Sequence, residues 1–186
     1  MIHTSSNKKP NTIELLLNVK PQGFTIVEVL VATLIITVGV GASFALVQNI
    51  RVLTITAAST FEASYLAQEG VEIVRNIRDS NFLKIHNGVG GSNWDDFGLA
   101  TCSAGCQADS TSTSLVAFAD TFLQFNSGLY SHIGSGSDSF YKREITITSS
   151  GTDVLDVNVS VRWQDRGQSR EIEADTQMYN WLSPTP

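Results

Sequence analysis

Between Phe24 and Gln48 this 186-residue chain carries one ionisable side chain, Glu28. The run FTIVEVLVATLIITVGVGASFALV, 24–47, rises about 36 Å as a helix at 1.5 Å per residue, enough for a bilayer core of about 30 Å. Ahead of it, residues 1–23 hold Lys8, Lys9 and Lys20 against Glu14, a net of +2, with Pro10, Pro21 and a final Gly23. Under the positive-inside rule this predicts a cytoplasmic 1–23 and an extracytoplasmic location for everything after 47. Only 16% of the residues are charged, low against a usual share of about 25%, which disfavours an ordinary cytosolic enzyme. The net charge of -6 lacks the basic footprint of a nonspecific nucleic-acid binder.

Three readings of the apolar run compete. A permanent single-span anchor needs nothing more than its length. A cleaved secretory signal peptide would use Ser43 and Ala45 as the small residues before the cut. Glu28 argues against the signal peptide, which has no need of that charge. A carboxylate inside a hydrophobic run costs roughly 2.5–3.5 kcal/mol at the centre of a span and less near an end. Such a residue is by default functional and requires a partner. The third reading supplies one, because cleavage between Gly23 and Phe24 creates an α-amino group four residues before Glu28. Between chains staggered along their axes, each carboxylate would meet a neighbour's amine, and a buried pair of that kind sets register more than it adds stability.

The stretch KPQGFTIVEVLVATLIITVGV resembles the processing and membrane segment of type IV prepilins and type II secretion pseudopilins. The features that match are a basic leader, Gly23 before the cut, Phe24 as first mature residue, Glu28 at the fifth mature position, and an unbroken apolar run. The resemblance implies cleavage after Gly23 by a membrane prepilin peptidase, N-methylation of Phe24, and a filament-assembly role for Glu28. It also implies, as partners, other pilin or pseudopilin subunits, an inner-membrane assembly platform and membrane lipid. YLAQEGVEIVRNIRDSNFL, 65–83, further resembles minor pilins of the PilV type.

Beyond the run, residues 48–83 continue as an amphipathic helix. Leu53, Ala57, Phe61 and Tyr65 recur at i+4, and Leu66, Gly70, Ile73 and Ile77 extend the face with a drift. The opposite, solvated surface is expected to carry Glu62, Glu69, Glu72, Arg75, Arg78 and Asp79, with Glu72–Arg75 and Arg75–Asp79 at pairing distance. No proline lies between 22 and 183, so only Gly39 and Gly41 weaken the helix.

Residues 84–114 read as a loop of small polar residues, 115–119 and 122–125 as short strands or a helical turn, and 134–139 as a connection. The clearest strand signal follows. Val157, Val159, Val161 and Trp163 alternate with polar neighbours, as do Tyr141, Arg143, Ile145 and Ile147 before them and Ile172, Ala174, Thr176 and Met178 after. Three such runs joined by short turns predict an antiparallel meander over about 141–179, with the stripe of residues 53–77 as its cover. The fold class is therefore α+β, a long N-terminal helix on a small antiparallel sheet. The domain plan is a leader at 1–23, a membrane half-helix at 24–47, an amphipathic half-helix at 48–83 and a head at 84–186.

Cys102 and Cys106 flank three small residues. Outside the cytoplasm a disulfide closing this tight loop is the first reading, with free thiols and a partial metal site as the others. His86 and His132 stand at no recognisable metal spacing. Asp96-Phe97-Gly98 matches a kinase metal motif without its companions and reads as a loop with an aromatic anchor. Gly88, Gly90 and Gly91 follow no strand and make a poor phosphate cradle. Asp95, Asp96, Asp109 and Asp138 lack a calcium-loop pattern. Lys142, Arg143, Arg162, Arg166 and Arg170 form either a basic patch or a solvated sheet face. No catalytic residue and no cofactor is expected. The leading function is a structural filament subunit, and the alternative is an anchored or secreted binding module that never polymerises.

Overall fold

The computed structural model describes residues 23–89, 93–132, 134 and 136–182. Residues 1–22 of the expected leader, 1–23, lie outside the described residues, as do Gly90 and Gly91. The chain divides into two compact units at Arg51/Val52. One helix, α1 (Ile26–His86), supplies residues to both.

Thr25 starts α1. Its Oγ1 accepts from the backbone N–H of Glu28 at 3.2 Å, the N-cap arrangement that satisfies one of the helix's free donors. The helix runs unbroken through Gly39 and Gly41. It ends two residues before Gly88, whose φ of 71° suits glycine. The amides of Gly88 and Val89 bond back to the carbonyls of Ile85 and Lys84, each at 3.0 Å, in a Schellman closure. An Asn-Gly pair thus stops the helix, a few residues beyond the expected end near 83.

In the first unit, every described side chain from Gly23 to Arg51 is exposed. Its hydroxyls turn inward to the helix backbone instead. Thr37 Oγ1 donates to the Thr33 carbonyl and Ser43 Oγ to that of Gly39, both at 2.8 Å. Such back-bonding removes the need for water along an apolar helix.

In the second unit, α1 from Val52 onward packs on a five-stranded antiparallel sheet of order β2-β1-β6-β7-β8. The strands are β1 (Cys106–Gln107), β2 (Val116–Ala117), β6 (Tyr141–Ser149), β7 (Val154–Asp165) and β8 (Gln168–Tyr179). A second small sheet orders β4-β3-β5 from β3 (Gln124–Asn126), β4 (Leu129–Ser131) and β5 (Ser137–Asp138). The expected meander is present as β6–β7–β8, with Arg143 opposite Val161 and Ile145 opposite Val159. Val161 in turn faces Ile172, and Val159 faces Ala174. Tyr141, Ile145, Ile147, Val157, Val159 and Val161 are buried on the helix side.

The covering face of α1 keeps the second half of the expected stripe, Leu66, Gly70, Ile73 and Ile77, but not the first. Ala63, Leu66, Ala67, Gly70, Ile73, Val74, Ile77 and Phe82 are buried, whereas Leu53, Phe61 and Tyr65 are 67%, 66% and 70% exposed and Ala57 is also exposed. A Cβ on Gly70 would stand 2.6 Å from Val159 Cγ1, so helix and sheet stand close there, with the small Ala63 and Ala67 on the same buried face. The 84–114 stretch is likewise not all loop. Cys106 pairs with Ile145 and with Ala117, adding two short strands to the main sheet. Residues 137 and 138 pair with β3 instead of forming a free connection. Asn81, buried on α1, donates to the carbonyls of Trp94 and Asp96 at 3.2 and 3.1 Å and pins this segment to the helix.

Candidate functional site: the exposed helix start and the polar seam beneath the head

Gly23, Phe24 and Thr25 precede the helix in non-helical, exposed backbone, and Phe24 is 80% exposed. The Gly23–Phe24 bond therefore lies one residue outside the Thr25 cap, accessible and free of helix hydrogen bonds. Glu28 stands on the first turn of α1, where a carboxylate complements the positive end of the helix dipole. It is the only ionisable residue from Phe24 to Ile50. The structure thus groups the three proposed processing and assembly residues at one helix end. What it leaves around them is an uncovered apolar surface, with Ile26, Leu30, Leu34, Ile35 and Val38 all exposed. α1 is long and apolar enough to cross a membrane.

Cys102 and Cys106 are joined as a disulfide, with both residues buried. Gly105 between them has φ 96°. Its bend brings Cys106 into register with Ile145, so the loop is a sheet element as well as a closed ring.

The polar groups between helix and sheet were not anticipated from the sequence. Glu62 and Glu69, expected on the solvated surface, both face the sheet. Glu62 accepts from the Tyr141 hydroxyl at 2.8 Å and from the Tyr130 hydroxyl. Burial, reinforced by that carboxylate, pushes both phenols above their ordinary range. Glu69 accepts from Arg143 Nη1 at 2.8 Å, while Arg143 Nη2 donates to the Ala108 carbonyl at 2.9 Å. Arg143 is fully buried, so it belongs to this seam and not to a surface patch with Lys142 and Arg162. Those two face the other side and pair with Asp120 and Glu144. A sequence signal existed, since Arg143 occupies an inward position in the alternation of β6, but the partner lies 74 residues away.

Near the seam, the His132 amide donates to Asp109 Oδ1 at 2.7 Å. Burial, with the Arg143 guanidinium nearby, pushes the imidazole down to about 4 against a smaller opposing pull from Asp109. Arg75 pairs with Glu72 as expected, but Asp79 pairs with Arg78 instead of Arg75. Phe97 is not a buried anchor: Lys84 Nζ lies 3.5 Å over its exposed ring, and Trp94 and Leu99 are the buried residues there. Among the described residues no group of three His, Cys, Asp or Glu side chains is placed to hold a metal ion.

The family model for the prokaryotic N-terminal methylation motif matches residues 19–44. That motif is the signature of type IV prepilins and pseudopilins. Residues 19–44 are therefore prepilin-like, and such a motif implies in general assembly with other pilin subunits and handling by processing machinery. No curated protein and no solved structure matches the chain.

Proposed function

We propose that the mature chain, 24–186, is a minor pilin or pseudopilin, of the PilV kind, in a type IV pilus or type II secretion-like filament. A prepilin peptidase cuts after Gly23, Phe24 is N-methylated, and Glu28 meets the amine of a neighbouring subunit. Residues 24–47 span the inner membrane before assembly and join the filament core afterwards. Residues 48–83 carry the head, 84–186, on the extracytoplasmic side. The assembly platform draws subunits from the lipid, and Cys102–Cys106 remains oxidised in that compartment.

The observation that carries the reading is the coincidence of the methylation motif with an exposed apolar helix whose one carboxylate, Glu28, sits on the first turn. Buried in lipid alone, that carboxylate is a liability; paired across subunits it becomes a register device.

The test is the intact mass and N-terminal sequence of the protein from its own cell envelope. A chain starting at Phe24 and heavier by one methyl group supports the proposal. A start near Leu46, or an uncut chain, overturns it. Glu28→Val then separates polymer from anchor: the variant should enter the membrane yet be missing from filaments, and normal incorporation would remove Glu28 from the mechanism.

A further inference from the structure

The face of the main sheet turned away from α1 carries a cleft of about 330 Å³, at the end where β6 begins and the β7–β8 hairpin turns. Three adjacent strands form its floor. Lys142 stands opposite Arg162, and Gln164, two residues further along β7, stands opposite Ser169. Phe122 and Phe140 wall the cleft, with Asp120 beside them. These rings are 43% and 47% exposed. Single exposed apolar residues need no explanation, but two aromatic rings gathered on one concave polar surface do. Small-molecule sites of about 300–1,000 Å³ are built this way, from aromatic walls and a few placed polar groups.

The charges narrow the ligand. Two cations directly opposite each other, as Lys142 and Arg162 are, disfavour the sheet that holds them. Each is offset by its own carboxylate. Lys142 Nζ donates to Asp120 Oδ1 at 2.9 Å and lies 4.9 Å over the Phe122 ring. Arg162 Nη2 donates to Glu144 Oε2 at 2.7 Å, and its guanidinium lies 5.8 Å over Phe118. The cleft is thus electrically balanced and its cations are already fixed in place. Among the described residues, the Gln164 amide and the Ser169 hydroxyl have no protein partner, and each can both donate and accept. A hydrocarbon chain laid here would strand both groups, which is costly once water is excluded. An anion would have to displace Asp120 or Glu144 from its cation. What fits is an uncharged molecule with one apolar face and a rim of hydroxyls. A neutral sugar ring has both, since its C–H groups gather on a face and its hydroxyls on the edge.

We infer that this outer-face cleft binds a neutral pyranose, packed on Phe122 and Phe140 and hydrogen-bonded by Gln164, Ser169 and Asp120 Oδ2. The inference uses residues of the second unit alone, and neither membrane spanning nor filament assembly enters it.

The test is saturation-transfer NMR on the full chain in a polyoxyethylene detergent, which has no sugar headgroup. The probes are the methyl glycosides of glucose, galactose, mannose and N-acetylglucosamine, with methyl glucuronide as the charged control. At least one neutral glycoside should receive saturation, strongest at its ring C–H positions. Phe122→Ala should weaken its binding about tenfold. Gln164→Ala with Ser169→Ala should also weaken it and leave the melting temperature unchanged, because both side chains are exposed. If Phe122→Ala does not fold, that double variant decides alone. Silence from all four neutral glycosides overturns the inference, as does transfer that the variants retain in full. A response to the glucuronide alone overturns it in favour of an anion site at Lys142 and Arg162. A Phe122→Ala chain altered only in its oligomeric state overturns it in favour of a contact between copies.

Discussion

Arg143 Nη1 donates to Glu69 Oε2 at 2.8 Å across the helix–sheet interface, and the guanidinium is wholly out of solvent while the carboxylate keeps 32% of its exposure. That asymmetry determines which partner is the more dangerous to remove. Glu69→Ala strands a buried cation and should cost about 3 kcal/mol. Arg143→Met leaves a carboxylate that water still reaches and should cost nearer 1–2 kcal/mol. Thermal unfolding of the full chain in detergent, followed by near-ultraviolet dichroism, gives the order. A larger loss for Arg143→Met would refute the account.

Gly70 is required by contact, not by backbone angle. An alanine there gains about 1 kcal/mol of helix propensity, but its Cβ meets Val159 Cγ1 at 2.6 Å and Arg143 Cδ at 3.3 Å. Overpacking of this sort costs about 1–3 kcal/mol, so the net effect of Gly70→Ala is destabilising. Val159→Ala added to it should recover part of the loss. A Gly70→Ala chain that melts higher than the parent would mean the helix sits farther from the sheet.

Cys102 and Cys106 should resist alkylation in the native chain until both denaturant and reductant are present, because both are buried in the sheet edge. Replacing both by serine removes a short covalent ring and should lower stability by about 2–3 kcal/mol. Free thiol labelled in envelope-derived protein after denaturation alone would contradict an oxidised pair.

His132 makes the fold sensitive to acid. Its folded pKa of about 4 lies below the unfolded value of 6.5, so the unfolded chain binds more protons between the two. Stability from this group is therefore level above about pH 6.5 and declines as pH falls toward 4. The groups facing the imidazole are Arg143, which opposes protonation, and Asp109, which favours it less strongly. His132→Gln should lose less melting temperature than the parent between pH 7 and pH 4.5, and parallel slopes would remove His132 as the cause.

Much of the architecture could be read directly. The meander is legible because a half-buried strand writes its two faces as alternate residues, and β6, β7 and β8 do so over most of their length. The residues proposed for processing and assembly, Gly23, Phe24 and Glu28, fall within one six-residue stretch with no other ionisable side chain. The short strands at Cys106–Gln107 and Ser137–Asp138 were not legible, since two-residue pairings leave no period to detect.

The polarity and length of 24–47, the lone carboxylate and the strand alternation are local quantities, so the order of residues settles them without reference to a fold. Which face of α1 is buried is not local. The expected row through Leu66, Gly70, Ile73 and Ile77 is buried, but its extension through Leu53, Phe61 and Tyr65 is not, and the small Ala63 and Ala67 lie on the buried face instead. The same holds for Glu62 and Glu69. Their partners Tyr141 and Arg143 stand 79 and 74 residues away, and only the closing of the sheet onto the helix turns apparently solvated carboxylates into half-buried acceptors.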